Sequence, residues 1–186
     1  MRKTNKKGRK HFKNVYKKDS TIARVFIDMD GVLAMWRYAT NMKDLFEPDY
    51  FFDLNVQVWA RDILWKLYEK YKGKIEFYIL SSVVMSPYAI PEKGAWLDIH
   101  FPIPPESRIW VKNGDNKSIY VPGGIKKNDI LIDDYSLNLH RWERSGGTGL
   151  KLLNGSNGTK GTWDKNIVPE YANFEELEKT ILKLIA

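Results

Sequence analysis

The sequence predicts an α/β protein whose central sheet is mostly parallel and covered by helices. Three observations carry this. Short apolar, β-branched runs recur along the chain, the main ones end in polar or acidic clusters, and helix-period segments fall between them. The 186 residues suit one domain, and 43% hydrophobic with 28% charged side chains excludes fibrous and disordered classes. Apolar runs reach only a few residues, far short of the roughly 20 a bilayer-spanning helix needs, so no membrane contact is expected.

Residues 1–20 hold nine Lys/Arg against one acid, Asp19, without apolar periodicity, and read as a basic disordered arm. No apolar stretch of signal-peptide length follows these charges, so a cytoplasmic protein is expected. From there to residue 186 the chain reads as a single domain. Its first strand is Ile22-Ala23-Arg24-Val25-Phe26-Ile27, which runs into Asp28-Met29-Asp30-Gly31. Residues 34–57 are rich in aromatics, lack a clear helical period, and suit a small cap inserted after that strand. Val58 to Tyr71 places Trp59, Ile63, Leu67 and Tyr71 four apart, with Gly73 as the stop of a helix.

Ile75 to Leu80 is a second strand ending at Ser81-Ser82, followed by a shorter helix from Pro91, at its first position, to Phe101. Arg108-Ile109-Trp110-Val111 ends near Asn113-Gly114, and Ile130-Leu131-Ile132 ends at Asp133-Asp134. Residues 145–163 are dense in Gly and Asn and read as loops around one strand at Leu150–Leu153. A phosphate cradle is the competing reading there, although no P-loop or dinucleotide fingerprint is present. Asn173 with Glu176, ahead of Leu177 and Ile181, forms a capping box that starts a terminal helix.

Charge and composition narrow the chemistry. The net +7 belongs wholly to the arm, because the remaining residues hold 21 basic against 22 acidic side chains. Such an arm can hold nucleic acid weakly and with strong salt dependence, while the body is almost neutral. Cysteine is absent, which excludes thiolate nucleophiles and Cys-based zinc. His11, His100 and His140 are far apart, so carboxylates are the natural metal ligands.

Asp28 and Asp30, two residues apart at a strand end, can take separate roles. One carboxylate can attack phosphorus, and the other can protonate a leaving oxygen and later activate water. Two anions beside a phosphate require a cation, and oxygen ligands point to Mg²⁺. Asp133-Asp134 can complete its ligands, Ser81 and Ser82 can hold phosphate oxygens, and Lys93 can add a point charge. Asp-Met-Asp-Gly alone reads as readily as a turn cap; its company in this order turns the reading toward a phosphoryl site.

These residues, in this order, resemble the haloacid-dehalogenase-like (HAD) phosphohydrolase superfamily. Within it they are most similar to the 5'(3')-deoxyribonucleotidase family. The resemblance rests on Ile27-Asp28-Met29-Asp30-Gly31-Val32-Leu33-Ala34, Phe51-Phe52-Asp53-Leu54, Ile79-Leu80-Ser81-Ser82, Glu92-Lys93-Gly94-Ala95-Trp96-Leu97 and Leu131-Ile132-Asp133-Asp134. It implies a Rossmann-like three-layer fold with a cap inserted after the first strand, the place of the small cap read from residues 34–57. It also implies Asp28 as nucleophile and Mg²⁺ ligand, and Asp30 as acid/base that ligates through its carbonyl. Ser81 and Ser82 would bind the phosphate, Lys93 would neutralise phosphoryl group and nucleophile, and Asp134 would ligate metal with Asp133 in support. Lys117 falls where that family has a second phosphate-contacting Lys.

The chain departs from the family's pattern where Val83 replaces its Pro and Ser81 its usual Thr. The segment before the Phe51 motif is also shorter than the family's helical cap. Trp36, Tyr38, Phe46, Phe51 and Phe52 can stack a base or form a local core. The function expected is a Mg²⁺-dependent phosphatase for nucleoside 5'- or 3'-monophosphates, acting through an aspartyl-phosphate. The alternatives are a phosphatase of nucleic-acid ends and a non-catalytic nucleic-acid-binding protein that uses the arm.

Overall fold

The computed structural model describes residues 22–37, 39, 41–156 and 161–186. The basic arm and Tyr38 lie outside the described residues. Among the described residues, six strands pair in parallel throughout: β1 (Arg24–Ile27), β2 (Glu76–Val83), β3 (Arg108–Lys112), β4 (Asp129–Asp133), β5 (Thr148–Leu152) and β6 (Ile167–Val168). Their order across the sheet is β3-β2-β1-β4-β5-β6. Four α-helices accompany them: α1 (Val58–Tyr71), α2 (Ala89–His100), α3 (Ser136–Arg144) and α4 (Phe174–Ile185).

The strands are buried on both sides, which is why they read as continuous apolar runs instead of alternating ones. Alternate residues feed two separate cores. Val25, Ile27, Ile130 and Ile132 pack with Leu64 and Leu67 of α1, Trp96 of α2 and Ile181 of α4. Phe26, Leu80 and Leu131 face the other way, onto Leu139 and Trp142 of α3 and onto Trp163. Three layers result, with β1 at the centre, where the strand order reverses direction. At such a reversal, a crevice opens beyond the carboxyl ends of the strands, where ligands bind in open α/β sheets. Asp28, Ser81, Ser82, Asp133 and Asp134 all lie at those ends.

Several boundaries differ from the sequence reading. β2 continues through Ser81-Ser82 to Val83, because it pairs with β3 as far as Lys112. α2 starts at Ala89, so Pro91 is its third residue rather than its first. β5 starts two residues earlier than the apolar pattern, paired to β4 through Thr148 and Gly149. α3 and β6 were not expected at all. The described residues of 34–57 include a 3₁₀ turn, Met42–Phe46, and a bridge from Ala34 to Val56. Among the described residues, no helix is long and apolar enough to cross a membrane.

Candidate active site

β1 delivers Asp28 to the crevice and a tight turn follows at once. The Met29 carbonyl accepts from the backbone N–H groups of Val32, Leu33 and Ala34, curling the chain back on itself. Gly31 makes this possible: its φ is +82°, and a Cβ there would lie 2.2 Å from a carboxylate oxygen of Asp134. The Asp28 backbone N–H donates to the Ile132 carbonyl at 2.9 Å, locking the first acidic motif to the strand that carries the last one.

Two buried lysines divide the carboxylates between them. Lys93, from α2, donates to Asp30 Oδ2, to Ser81 Oγ at 3.0 Å and to the Ser82 carbonyl at 2.7 Å. Its ammonium lies 4.9 Å from the centre of the Phe51 ring. The loop bearing Phe51 is tied to the same helix, because Glu92 accepts from the backbone N–H groups of Asp49 and Phe51 and Trp96 donates to the Leu54 carbonyl. Lys117, from the 3₁₀ turn Lys117–Tyr120, pairs with Asp28 at 2.9 Å and Asp133 at 2.7 Å. The lysine beside the expected nucleophile is therefore Lys117, whereas Lys93 attends Asp30. Burial works against the charge on Lys117, yet Asp133 and Asp28 outweigh it and hold the ammonium above its ordinary range.

Asp30 has one oxygen on Lys93, and its other, Oδ1, is buried without a hydrogen-bond partner among the described residues. Burial pushes its carboxyl above the usual carboxylate range; Lys93 pulls it down, and the charge of Asp28 adds to the rise. A carboxyl in that state can hold a proton and offer it from Oδ1.

Asp133 is anchored on every side. It accepts from the Tyr135 backbone N–H at 2.8 Å, from Asn138 Nδ2 at 3.0 and 3.3 Å, and from Lys117. One oxygen each from Asp28, Asp133 and Asp134 lie within 4.8 Å of one another, all three residues buried; the Asp30 carboxylate is not among them. Burial pushes Asp133 up to about 6 against the pull of Lys117. Burial, then the charges of Asp133 and Asp28, raise Asp134 well above its ordinary value. Crowded carboxylates that resist ionisation, with only oxygen donors, fit a hard divalent cation such as Mg²⁺, which relieves their repulsion.

Asn154, at the end of the strand region around β5, was not singled out from the sequence. It is buried, and its Nδ2 donates to the Gly31 carbonyl and, at 3.2 Å, to Asp134 Oδ2. It thereby joins the first acidic turn to the last. The signal that could have found it is the pattern seen elsewhere, a polar residue closing an apolar strand.

A cavity of about 540 Å³ opens over these groups. Asp28, Asp30, Ser82 and Asp134 form its inner end; Trp36, Asn113, Asp115, Tyr135, Leu137, Asn138 and Arg141 are among the residues of its walls. Ser81 lies behind, because alternate strand residues face opposite ways and its hydroxyl turns to Lys93. Of the aromatics, Phe51 is buried, Trp36 reaches the cavity, and Phe46 and Phe52 are exposed.

A family model described as "5' nucleotidase, deoxy (Pyrimidine), cytosolic type C protein" matches residues 34–177. That span contains Ser81, Ser82, Lys93, Lys117, Asp133 and Asp134 and starts just after the Asp28–Leu33 turn. The structure is similar to D,D-heptose 1,7-bisphosphate phosphatase from Burkholderia thailandensis, with 12% identity and a TM-score of 0.53, covering 84% of this chain and 98% of that one. It is similarly related to the B. bronchiseptica enzyme complexed with magnesium and phosphate, at 12% identity and a TM-score of 0.54, with coverage of 84% and 98%. At such identity the likeness concerns the fold. No curated protein matches the chain.

Proposed function

The chain belongs to the 5' nucleotidase, deoxy (pyrimidine), cytosolic type C family of HAD-like phosphohydrolases, and from that membership we propose that it hydrolyses nucleoside 5'- or 3'-monophosphates through a phosphoryl group carried on Asp28. It is a Mg²⁺-dependent phosphomonoesterase of the HAD type with an Asp cluster at its centre. The finer assignments are our reading of the geometry. The observation that carries them is the division of labour at the end of β1. Asp28 sits in the three-carboxylate cluster beside Lys117, while Asp30 stands apart with a raised pKa and a free oxygen.

Asp28, Asp133 and Asp134 would hold the cation, with the carbonyl of Asp30 as a further donor. When bound, Mg²⁺ supplies positive charge to phosphoryl oxygens and lets a carboxylate approach an anionic ester. In the first step an Asp28 oxygen bonds to phosphorus as the ester P–O bond breaks, and Asp30 passes its proton to the departing oxygen. In the second, Asp30 takes a proton from water as that water's oxygen attacks phosphorus. The acyl-phosphate bond breaks, inorganic phosphate leaves and Asp28 is restored. Lys117 orients Asp28, Lys93 orients Asp30 and the strand end at Ser81-Ser82, and Ser82 faces the phosphate. Trp36 and Tyr135 offer flat walls to a base.

We read residues 21–186 as the catalytic domain and the arm as a weak polyanion contact. A cytoplasmic location is supported by the family's description. The test is a phosphatase screen of deoxy- and ribonucleoside 5'- and 3'-monophosphates beside sugar phosphates, with and without Mg²⁺. Turnover of nucleotides only with Mg²⁺ is expected; turnover of sugar phosphates alone would overturn the substrate reading.

A further inference from the structure

The outer wall of the cavity carries a cation that hydrolysis of a monophosphate leaves unused. α3 presents Leu137, Asn138 and Arg141 to the cavity. Asn138 reaches Asp133, which places that part of the helix beside the reacting groups. Arg141 comes three residues later, about 4.5 Å further along the helix axis. Its Nη1 donates to the Gly114 carbonyl at 3.2 Å, so the side chain spans from α3 to the loop after β3 and forms part of the wall of the same cavity.

Arg141 is the one cation lining this cavity among the described residues. Lys93 and Lys117 are buried behind the carboxylates and committed to them. No carboxylate pairs with Arg141 among the described residues, and one of its five side-chain donors is used. Asp115, an acid of the same wall, accepts from the Tyr120 hydroxyl at 2.6 Å. Planar guanidinium donors facing a solvent-open cavity match a phosphate oxygen pair better than any neutral part of a nucleoside.

We propose that Arg141 forms a subsite for a second phosphate on the leaving group of the substrate; this rests on the phosphomonoesterase reading above. That chemistry has two sources, a nucleoside 3',5'-bisphosphate or the first phosphodiester of a 5'-phosphorylated oligonucleotide.

The experiment measures kcat/KM for a nucleoside 3',5'-bisphosphate and for a 5'-phosphorylated dinucleotide, each divided by kcat/KM for the 5'-monophosphate, in wild type and Arg141→Gln. A charged hydrogen bond to phosphate predicts a fall of about tenfold or more in at least one ratio. A fall in the bisphosphate ratio alone identifies the free nucleotide as the source, and a fall in the dinucleotide ratio brings in the oligonucleotide end. Unchanged ratios overturn the subsite, whether all activities drop together, as they would if Arg141 touched the scissile group, or none drops.

Calorimetry in the presence of a chelator, with turnover stopped, reads the same preference as binding. Tighter binding of the bisphosphate in wild type, lost in Arg141→Gln, by a protein that hydrolyses no phosphate ester would sink the enzymatic reading and leave the subsite standing. Hydrolysis of monophosphates with equal binding of both ligands would do the reverse.

Discussion

β1 and β4 lie side by side, and each end of the pair buries positive and negative charge, with opposite outcomes. At the amino end Arg24 is level with Asp129. Its guanidinium donates to both carboxylate oxygens, at 2.8 and 2.5 Å, and to the carbonyls of Pro122 and Gly124, while Asp129 also accepts from the Lys126 backbone N–H. One buried cation meets one buried anion there, and both are hydrogen-bonded further. At the carboxyl end Asp28, Asp30, Asp133 and Asp134 crowd four carboxylates together; Lys93 pairs with Asp30, Lys117 pairs with Asp28 and Asp133, and the buried Lys151 adds its charge near Asp133 and Asp134. Charge that is fully paired holds the fold, whereas surplus charge has to be completed by something that binds.

The largest effect expected from this contrast is on chemistry. Asp28→Asn removes the attacking carboxylate and should lower kcat by at least about a thousandfold. Lys117 keeps its bond to Asp133, so the variant should unfold near the wild-type denaturant midpoint. Near-normal turnover would break the assignment. The opposite end should respond in the opposite sense. Asp129→Asn strands the buried Arg24 guanidinium and should cost about 3–5 kcal/mol of stability in urea titrations, with kcat per folded molecule unchanged. A stable Asp129→Asn protein would mean that the matched pair does not hold the sheet.

Smaller in size is the effect of the link between the two acidic motifs. Asn154→Ala removes the side-chain bonds from Asn154 to the Gly31 carbonyl and to Asp134 and should weaken Mg²⁺ binding about 10–100-fold, measurable by calorimetry without substrate. Unaltered Mg²⁺ affinity would reduce Asn154 to a packing role. The smallest effect is a slope. Asp133 is raised from 3.8 to about 6, so between those values the folded protein binds a proton that the unfolded chain has released. Its stability contribution is therefore present at low pH and is lost as pH rises through 6. Metal-free protein should lose part of its stability from pH 4 to 6, and Mg²⁺ should remove that loss; a metal-free curve that rises there would contradict the crowding of the cluster.

The same contrast explains what the sequence made legible. Asp28, Asp30, Ser81, Asp133 and Asp134 could be read because each lies in or just after the polar cluster that ends an apolar run, and the α4 capping box of Asn173 and Glu176 was visible in spacing alone and is present. α1 runs from Val58 to Tyr71 as its period predicts. α3 was hidden because it buries only Ser136, Leu139 and Trp142 within nine residues, too few for an apolar period to stand out. Lys117 as the partner of Asp28 was hidden for a different reason: a lysine in a short turn carries no pattern, and its role comes from where β3 and β4 leave that turn. The pairing of Lys93 with Asp30 likewise depends on α2 crossing the end of β2, a tertiary fact that residue order does not contain.

The most direct test of the central claim looks for the phosphoryl group itself. Asp30→Asn retains the Asp28 nucleophile but lacks the base for the second step. With p-nitrophenyl phosphate, whose leaving group needs little protonation, the first step should proceed and the second stall. Rapid acid quenching followed by peptide mass spectrometry should then find a phosphoryl group on Asp28 in a large fraction of the protein. A stoichiometric burst of p-nitrophenol with Asp28 unmodified, or a phosphoryl group on another residue, would contradict the account.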